Sequence, residues 1–112
     1  MSSRTDAERL DDILQVIADI ETDVAERDQN SFFKDSMAVR SVLYSFTVIG
    51  EASSKLAQRT QDKSPSTPWK NIKGMRNFIA HEYFRVNQSV IWNAIQNELP
   101  ALKSAVESIL NS

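Results

Sequence analysis

Residues 37–56 read MAVRSVLYSFTVIGEASSKL, and this stretch determines how the rest of the chain can pack. Its apolar side chains cover more than one face of a helix, which is typical of a central helix buried on several sides. We expect this helix to run from about Asp35 to about Gln61. Gly50 lies in its middle, where glycine costs a helix about 1 kcal/mol relative to alanine. Gly50 therefore marks a point at which another helix, from the same chain or from a second copy, comes close.

Sequence signals on both sides of the central helix predict further helices. Thr5-Asp6-Ala7-Glu8 is a capping box, a pattern that begins a helix. That helix is expected to end near Arg27-Asp28, and Phe32-Phe33 are expected to form a separate turn. Residues 62–68 contain two prolines and form the loop that ends the central helix. The remaining predicted helix starts are Thr67 and Pro68 for the third helix, Asn87 for the fourth and Pro100 for the fifth.

The composition predicts a single all-α domain over residues 1–112. Two glycines and three prolines supply few of the turns that an all-β fold needs. There is no cysteine and only one histidine, so no metal-ligand spacing exists and we expect neither a metal nor another cofactor. No apolar run reaches the length of a membrane span, and the first twenty residues are rich in charge. We therefore expect a cytoplasmic protein with no membrane segment and no secretory signal.

Charge is unevenly distributed along the chain. Residues 1–35 carry ten acidic and four basic side chains, a balance of -6, whereas residues 55–85 carry seven basic and two acidic ones, a balance of +5. This asymmetry is typical of a protein with a polyanion-binding face. The alternative is that two solvated helix faces merely differ in sign.

The only histidine, His81, follows Arg76 by five residues. On an ideal helix whose core face holds Ile72 and Met75, Asn77 and His81 fall on the opposite side. A surface histidine without function is the alternative to a functional one. A histidine whose pKa lies near 6.5 can move a proton at neutral pH, and a guanidinium can hold a phosphate at two points. Together they suit attack by a ribose 2'-hydroxyl on the adjacent phosphodiester, a reaction that requires no metal.

The residues around His81 give this pair a family context. Residues 69–84 read WKNIKGMRNFIAHEYF and closely resemble the signature of the HEPN superfamily. They are most similar to the HepT-like toxins, which are encoded beside minimal nucleotidyltransferase (MNT) antitoxins. Gly50-Glu51-Ala52 and the segments 90–95 and 99–102 resemble other helices of that family. The resemblance extends from Leu10 to about Leu110. One departure is Asn87, where relatives often have aspartate, and either residue can cap a helix.

The resemblance implies an up-and-down bundle of four to five helices that forms a two-fold homodimer, with the Arg-x4-His segments of both copies in one cleft. It also implies a metal-independent ribonuclease toxin that acts on RNA. Carried over, Arg76 and His81 are the catalytic pair, and Asn77 supports them. Tyr83 completes an Arg-x4-His-x-Tyr motif and is the residue to which the partner nucleotidyltransferase attaches AMP from ATP. The further candidates for contact with RNA are Lys70, Lys73 and Arg85.

Other interpretations of these residues stay open at the level of sequence. The chain could be a non-catalytic helical dimer, an adaptor that binds the nucleotidyltransferase or a nucleic acid. Tyr83 could be a half-buried packing residue, and the two tryptophans are expected in the core or in a dimer interface. Glu51 is expected to be a buried charge paired across the bundle. The RNA target, and whether the antitoxin acts by AMPylation or by complex formation, do not follow from the sequence.

Overall fold

Helices account for the secondary structure of the computed structural model, which describes residues 4–77 and 87–112. The predicted all-α class is confirmed over these residues. The helices are α1 (Asp6–Val24), α2 (Gln29–Phe33), α3 (Ser36–Ser54), α4 (Gln58–Gln61), α5 (Trp69–Lys73), α6 (Gln88–Asn93) and α7 (Leu99–Leu110). A short 3-10 turn, Gly74–Arg76, follows α5, and a π-helical segment, Ala94–Glu98, joins α6 to α7.

Helix α3 lies at the centre of the bundle and packs mainly along α1. Val42, Phe46 and Ile49 are completely buried in the core. The two helices run antiparallel, because Asp23 near the end of α1 accepts a hydrogen bond of 2.6 Å from Ser41 near the start of α3. The central position that the sequence predicts for this helix is confirmed.

The predicted end of the central helix at Gln61 is wrong, because α3 ends at Ser54 and the chain turns before α4. Leu56 donates its amide to Ser53 in a tighter turn. Ala57, whose amide would continue the helix, instead donates to the carboxylate of Asp6 at 3.0 Å. A side chain at the start of α1 therefore takes the hydrogen bond that another turn of α3 would have used.

Helix α5 begins one residue later than predicted. Pro68 occupies the cap position outside the helix, and no side chain caps it. The hydroxyl of Thr67 lies 2.6 Å from the hydroxyl of Ser64 within the loop, so it does not serve the helix. Trp69 is buried, as predicted, and its indole N–H donates to the carbonyls of Gln61 and Ser64 at 3.1 and 3.2 Å. The tryptophan thereby fixes the proline-containing loop to the core.

The predicted fourth and fifth helices form one continuous helical run over residues 88–110. Asn87 caps its start as predicted, since its side-chain oxygen accepts from the amides of Ser89 and Val90. Pro100, however, does not begin a separate helix but lies in the first turn of α7, just after the π segment. Proline has no amide hydrogen and its ring crowds the carbonyl four residues earlier. The wider π turn accommodates both properties, so the chain continues without a break.

The predicted separate turn at Phe32-Phe33 is confirmed as helix α2. Phe32 is fully buried, and its ring centre lies 5.6 Å from that of Trp92, which is partly buried against the core. Within the described parts of the chain, no helix is both long enough and apolar enough to cross a membrane.

Candidate active site

Arg76 ends the 3-10 turn that follows α5, at the surface of the bundle. Ile72 and Met75 precede it and are buried in the core, with 1% and 2% of their surface exposed. These two side chains anchor the segment, and the guanidinium of Arg76 consequently points outward. The core face that the sequence predicts for this segment is confirmed at both positions.

Gly50 of α3 lies directly against the backbone of this turn. A Cβ atom on Gly50 would come within 2.6 Å of the Arg76 amide nitrogen and 2.9 Å of the Lys73 carbonyl oxygen. Only glycine permits so close an approach between α3 and the turn. The predicted close crossing at Gly50 is therefore confirmed, and it occurs within one chain.

Glu51, the next residue of α3, pairs with Arg76 across the bundle. Its Oε1 lies 3.2 Å from Nη1 of the arginine, and the two side chains are 49% and 42% exposed. The predicted pairing of Glu51 is confirmed, but its predicted burial is wrong, because this side of α3 faces solvent. Exposed ion pairs contribute only about 0–1 kcal/mol, so an incoming phosphate can replace the carboxylate at low cost.

The other sequence candidates are placed only in part by the structure. Asn77 is exposed immediately after Arg76, as the predicted orientation requires. Lys70 is exposed and Lys73 is partly exposed on the preceding turn. The remaining candidates, His81, Tyr83 and Arg85, lie outside the described residues. The structure therefore brings Arg76 together with Gly50, Glu51, Asn77 and Lys73, and the pairing of Arg76 with His81 stays a prediction.

Carboxylates with lowered pKa values occur at the starts of helices. The hydroxyl of Thr60 donates to Asp6 and is the main cause that lowers the pKa of that carboxyl. Backbone amides at helix caps lower the pKa of Glu8, Asp28 and Asp35 in the same way. The shifts of Glu8, Asp28 and Asp35 therefore reflect helix capping, whereas that of Asp6 reflects its contact with Thr60 across the bundle. In the described ranges, no three metal-ligating side chains of the His, Cys, Asp or Glu type come together.

The contact of Arg76 with Gly50 and Glu51 was not predicted, although all three residues stand out in the sequence. The signal was present in the sequence, because a costly glycine beside a carboxylate on the central helix marks both a close approach and a charge at the same place. What was missing was the partner, which lies 25 residues away from Glu51 along the chain.

Comparison with known proteins shows the family to which this chain is related. The family described as Ribonuclease HepT-like matches residues 13–109. A protein of Caldanaerobacter subterraneus named "Putative RNase" is 42% identical over 79 residues, which are 70% of each chain. A protein of the same name from Methanocaldococcus jannaschii is 31% identical over 97% of this chain and its own full length. "Probable ribonuclease HepT" of Thermococcus cleftensis is 29% identical over 95% of this chain and 96% of its own. No solved structure matches significantly.

The helical fold and the exposed arginine thus belong to a protein of the HEPN class. Within that class, the chain belongs to the HepT-like ribonuclease family.

Proposed function

We propose that this protein is a metal-independent endoribonuclease toxin that cleaves RNA with Arg76 and His81. The observation that carries the proposal is the exposed, outward-facing Arg76, whose backbone packs against Gly50 and whose guanidinium pairs with Glu51, within the matched family region. A guanidinium in this position can bind the two non-bridging oxygens of a phosphodiester. Its partner Glu51 is exposed and can be displaced by the phosphate.

In the proposed reaction His81 takes the proton of a ribose 2'-hydroxyl, and the 2'-oxygen attacks the adjacent phosphorus. The bond between phosphorus and the 5'-oxygen breaks, and the departing 5'-oxygen receives a proton. The products are a 2',3'-cyclic phosphate and a 5'-hydroxyl. Arg76 stabilises the negative charge that develops on the phosphoryl oxygens, and Asn77 supports the pair by a hydrogen bond to the imidazole or the phosphate.

A two-fold homodimer fits this chemistry. The reaction needs a group that accepts a proton and a group that donates one, and each chain contains a single histidine. A cleft shared by two copies contains two histidines and two arginines, which supplies both groups. The resemblance to HepT-like proteins, in which the Arg-x4-His segments share a cleft, supports the same arrangement.

The second partner in the proposal is a cognate MNT antitoxin. It transfers AMP from ATP to the hydroxyl of Tyr83, the last residue of the Arg-x4-His-x-Tyr motif, and releases pyrophosphate. The bulky, negatively charged AMP group beside the cleft repels RNA and blocks access to His81. Intact-mass spectrometry after incubation with the nucleotidyltransferase and ATP is expected to show one AMP adduct. The adduct should be absent in Tyr83→Phe, and an adduct that persists in this variant contradicts the assignment.

Cleavage of RNA in the presence of a chelator tests the proposed catalytic pair. The wild type is expected to leave cyclic phosphate ends, and His81→Ala is expected to lower the rate by about 10²- to 10⁴-fold, the usual contribution of a general acid or base. Arg76→Ala should lose activity as well. Arg27→Ala is the matched control, because it also removes an exposed arginine paired with a carboxylate, here Asp35 at 2.8 Å, but far from the site along the chain.

Circular dichroism must show that each variant keeps its helical fold. Cleavage by His81→Ala at the wild-type rate would contradict the proposal. A wild type that binds RNA or the nucleotidyltransferase without ever cutting RNA would identify the protein as the adaptor considered above.

A further inference from the structure

Two neighbouring grooves run along the surface where the start of α1 meets the end of α3. One has a volume of about 330 Å³ and the other of about 650 Å³, and both are lined by Arg4. They are therefore adjacent, and we call the two together the basic groove. The side chains that define it are Arg4, Arg9, Tyr44, Lys55, Arg59 and Lys63.

The charge of the basic groove is opposite to that of the whole chain. Its lining includes five basic side chains and three carboxylates, those of Asp6, Asp12 and Glu51. The local balance is +2, on a chain whose net charge is -2. Each carboxylate is bonded in the protein without RNA. Asp12 accepts two bonds of 2.7 Å from Arg4, Asp6 accepts from Thr60 and Ala57, and Glu51 accepts from Arg76.

Three cations of the basic groove remain available to a ligand. Lys55, Arg59 and Lys63 are exposed, and none of them forms an ion pair with another residue in the described part of the chain. Arg59 contributes only a long-range field that helps to lower the pKa of Asp6. Unpaired cations along a groove attract a polyanion, because each one can replace a counterion on it.

Tyr44 adds an aromatic surface to this row of cations. Its ring lies on α3 with 65% of the residue exposed, although aromatic side chains on this helix can be fully buried, as Phe46 is. An exposed aromatic ring between basic side chains is the arrangement that binds single-stranded nucleic acid, since a base can stack on the ring while cations hold the phosphates.

The basic groove also adjoins the candidate active site. Glu51 lines the groove and at the same time pairs with Arg76. Tyr44 and Glu51 are seven residues apart, which is two helical turns or about 10 Å. A chain of nucleotides bound at Arg76 can therefore continue past Glu51 into the groove without crossing the core.

We propose that the basic groove binds the single-stranded RNA that flanks the cleaved phosphodiester. Tyr44 stacks on a base, and Lys55, Arg59 and Lys63 contact phosphates. This inference rests on the proposed ribonuclease function and extends the RNA contact beyond Lys70, Lys73 and Arg85, which sequence reasoning selected. It assigns the basic groove to substrate affinity, so its loss should raise KM and leave kcat nearly unchanged.

The inference is tested by binding to a short, fluorescently labelled single-stranded RNA of mixed sequence. All binding variants also contain His81→Ala, so that the RNA stays intact. Lys55→Gln with Lys63→Gln is expected to weaken binding about tenfold at low salt. It should also reduce the slope of log affinity against log salt by about 1.4, since each phosphate contact on a single strand contributes about 0.7. Lys34→Gln with Lys103→Gln removes the same charge elsewhere and should leave affinity and slope unchanged.

Substitutions at Tyr44 separate stacking from charge. Tyr44→Leu is expected to weaken binding about tenfold with an unchanged salt slope, whereas Tyr44→Phe keeps the ring and should bind as the parent does. Light scattering on the same variants tests whether a second copy of the chain, instead of RNA, covers this surface. If Tyr44→Leu changes the mass of the assembly, the surface contacts a second copy and the inference is wrong.

The outcome for the basic groove is distinguishable from that for the catalytic pair. Suppose that the wild type cleaves RNA, and that the lysine and tyrosine variants bind it with unchanged affinity and cleave it with unchanged KM. The proposed role of the basic groove is then wrong, and the ribonuclease proposal stands. If the wild type does not cleave but the groove variants still weaken binding, the ribonuclease proposal fails and the RNA-binding surface stands.

Discussion

Gly50 fixes the position of Arg76, because the backbones of α3 and of the 3-10 turn touch at this glycine. The Arg76 amide nitrogen lies 2.6 Å from where a Cβ of residue 50 would be, so there is no room for a methyl group. The obstructing atoms are two backbone atoms and the Cβ of Arg76, and none of them can rotate away as the far end of a flexible side chain could. Glu51 then orients the guanidinium from the side. A glycine far from the chemistry along the chain thereby controls where the candidate catalytic cation lies.

Gly50→Ala is expected to destabilise the fold by about 1–3 kcal/mol, the usual cost of overpacking, and to lower RNA cleavage because the turn that carries Arg76 must shift. Gly74→Ala is the matched control. It lies in the same turn with a helical backbone, and a Cβ there would meet nothing within 4 Å. This control should retain activity and gain about 0.4–1 kcal/mol. Urea denaturation measures both effects, and equal stability of the two variants would contradict the close packing at Gly50.

The helices show which features could be predicted from the sequence and which could not. The starts of α1 and α6 were predicted at Thr5 and Asn87, because each cap bonds to amides only two or three residues away. The end of α3 depends on Asp6, which is 51 residues from Ala57, and no local window of sequence contains that contact. At the candidate site the same distinction holds. The exposure of Asn77 followed from helical periodicity, whereas the partner of Arg76 depended on tertiary packing.

Asp6 connects the start of α1 to α4, and its substitution tests that connection. Asp6→Asn is expected to cost on the order of 1–2 kcal/mol at neutral pH, because the charged acceptor of the Thr60 hydroxyl and the Ala57 amide is lost. Asp11→Asn is the control. It removes an exposed carboxylate from the same helix, and no hydrogen bond or ion pair to another described residue involves it. Thermal denaturation should show a clear loss only for the Asp6 variant.

The stability difference between the wild type and Asp6→Asn is expected to depend on pH. The hydrogen bond from Thr60 holds the pKa of Asp6 below its ordinary value of 3.8 in the folded protein. The stabilisation is therefore complete above that value and is lost as the pH falls through the lower folded pKa. The stability gap between the wild type and Asp6→Asn should narrow in this acidic range. A gap that stays constant through acid pH would contradict the proposed hydrogen bonds.

The whole molecule combines an acidic first third with a basic surface built from distant segments. Folding brings Arg4 and Arg9 of the acidic segment next to Lys55, Arg59 and Lys63, so the basic groove contains residues from both. The charge pattern of the sequence predicted a polyanion-binding face within residues 55–85. It could not predict the contribution of the N-terminal arginines, because that depends on the antiparallel packing of α1 against α3.

The structure removes one of the sequence arguments for a dimer and leaves the others. Gly50 no longer supports contact with a second copy, because its own chain fills the space beside it. The support that remains is the need for two proton-transferring groups when each chain has one histidine, together with the resemblance to the HepT-like family. Residue Met37, 77% exposed on α3, adds apolar surface that an assembly could cover.

Light scattering is therefore expected to give about twice the chain mass of 12.7 kDa at micromolar concentrations. Because the proposed cleft needs both copies, cleavage activity per chain should fall on dilution in parallel with the dimer fraction. Arg27→Ala, with its ion pair to Asp35 removed, should show the same mass and the same dilution profile as the wild type. A monomer with full cleavage activity at every concentration would show that Arg76 and His81 of one chain are sufficient. The proposal of a cleft shared by two copies would then be wrong.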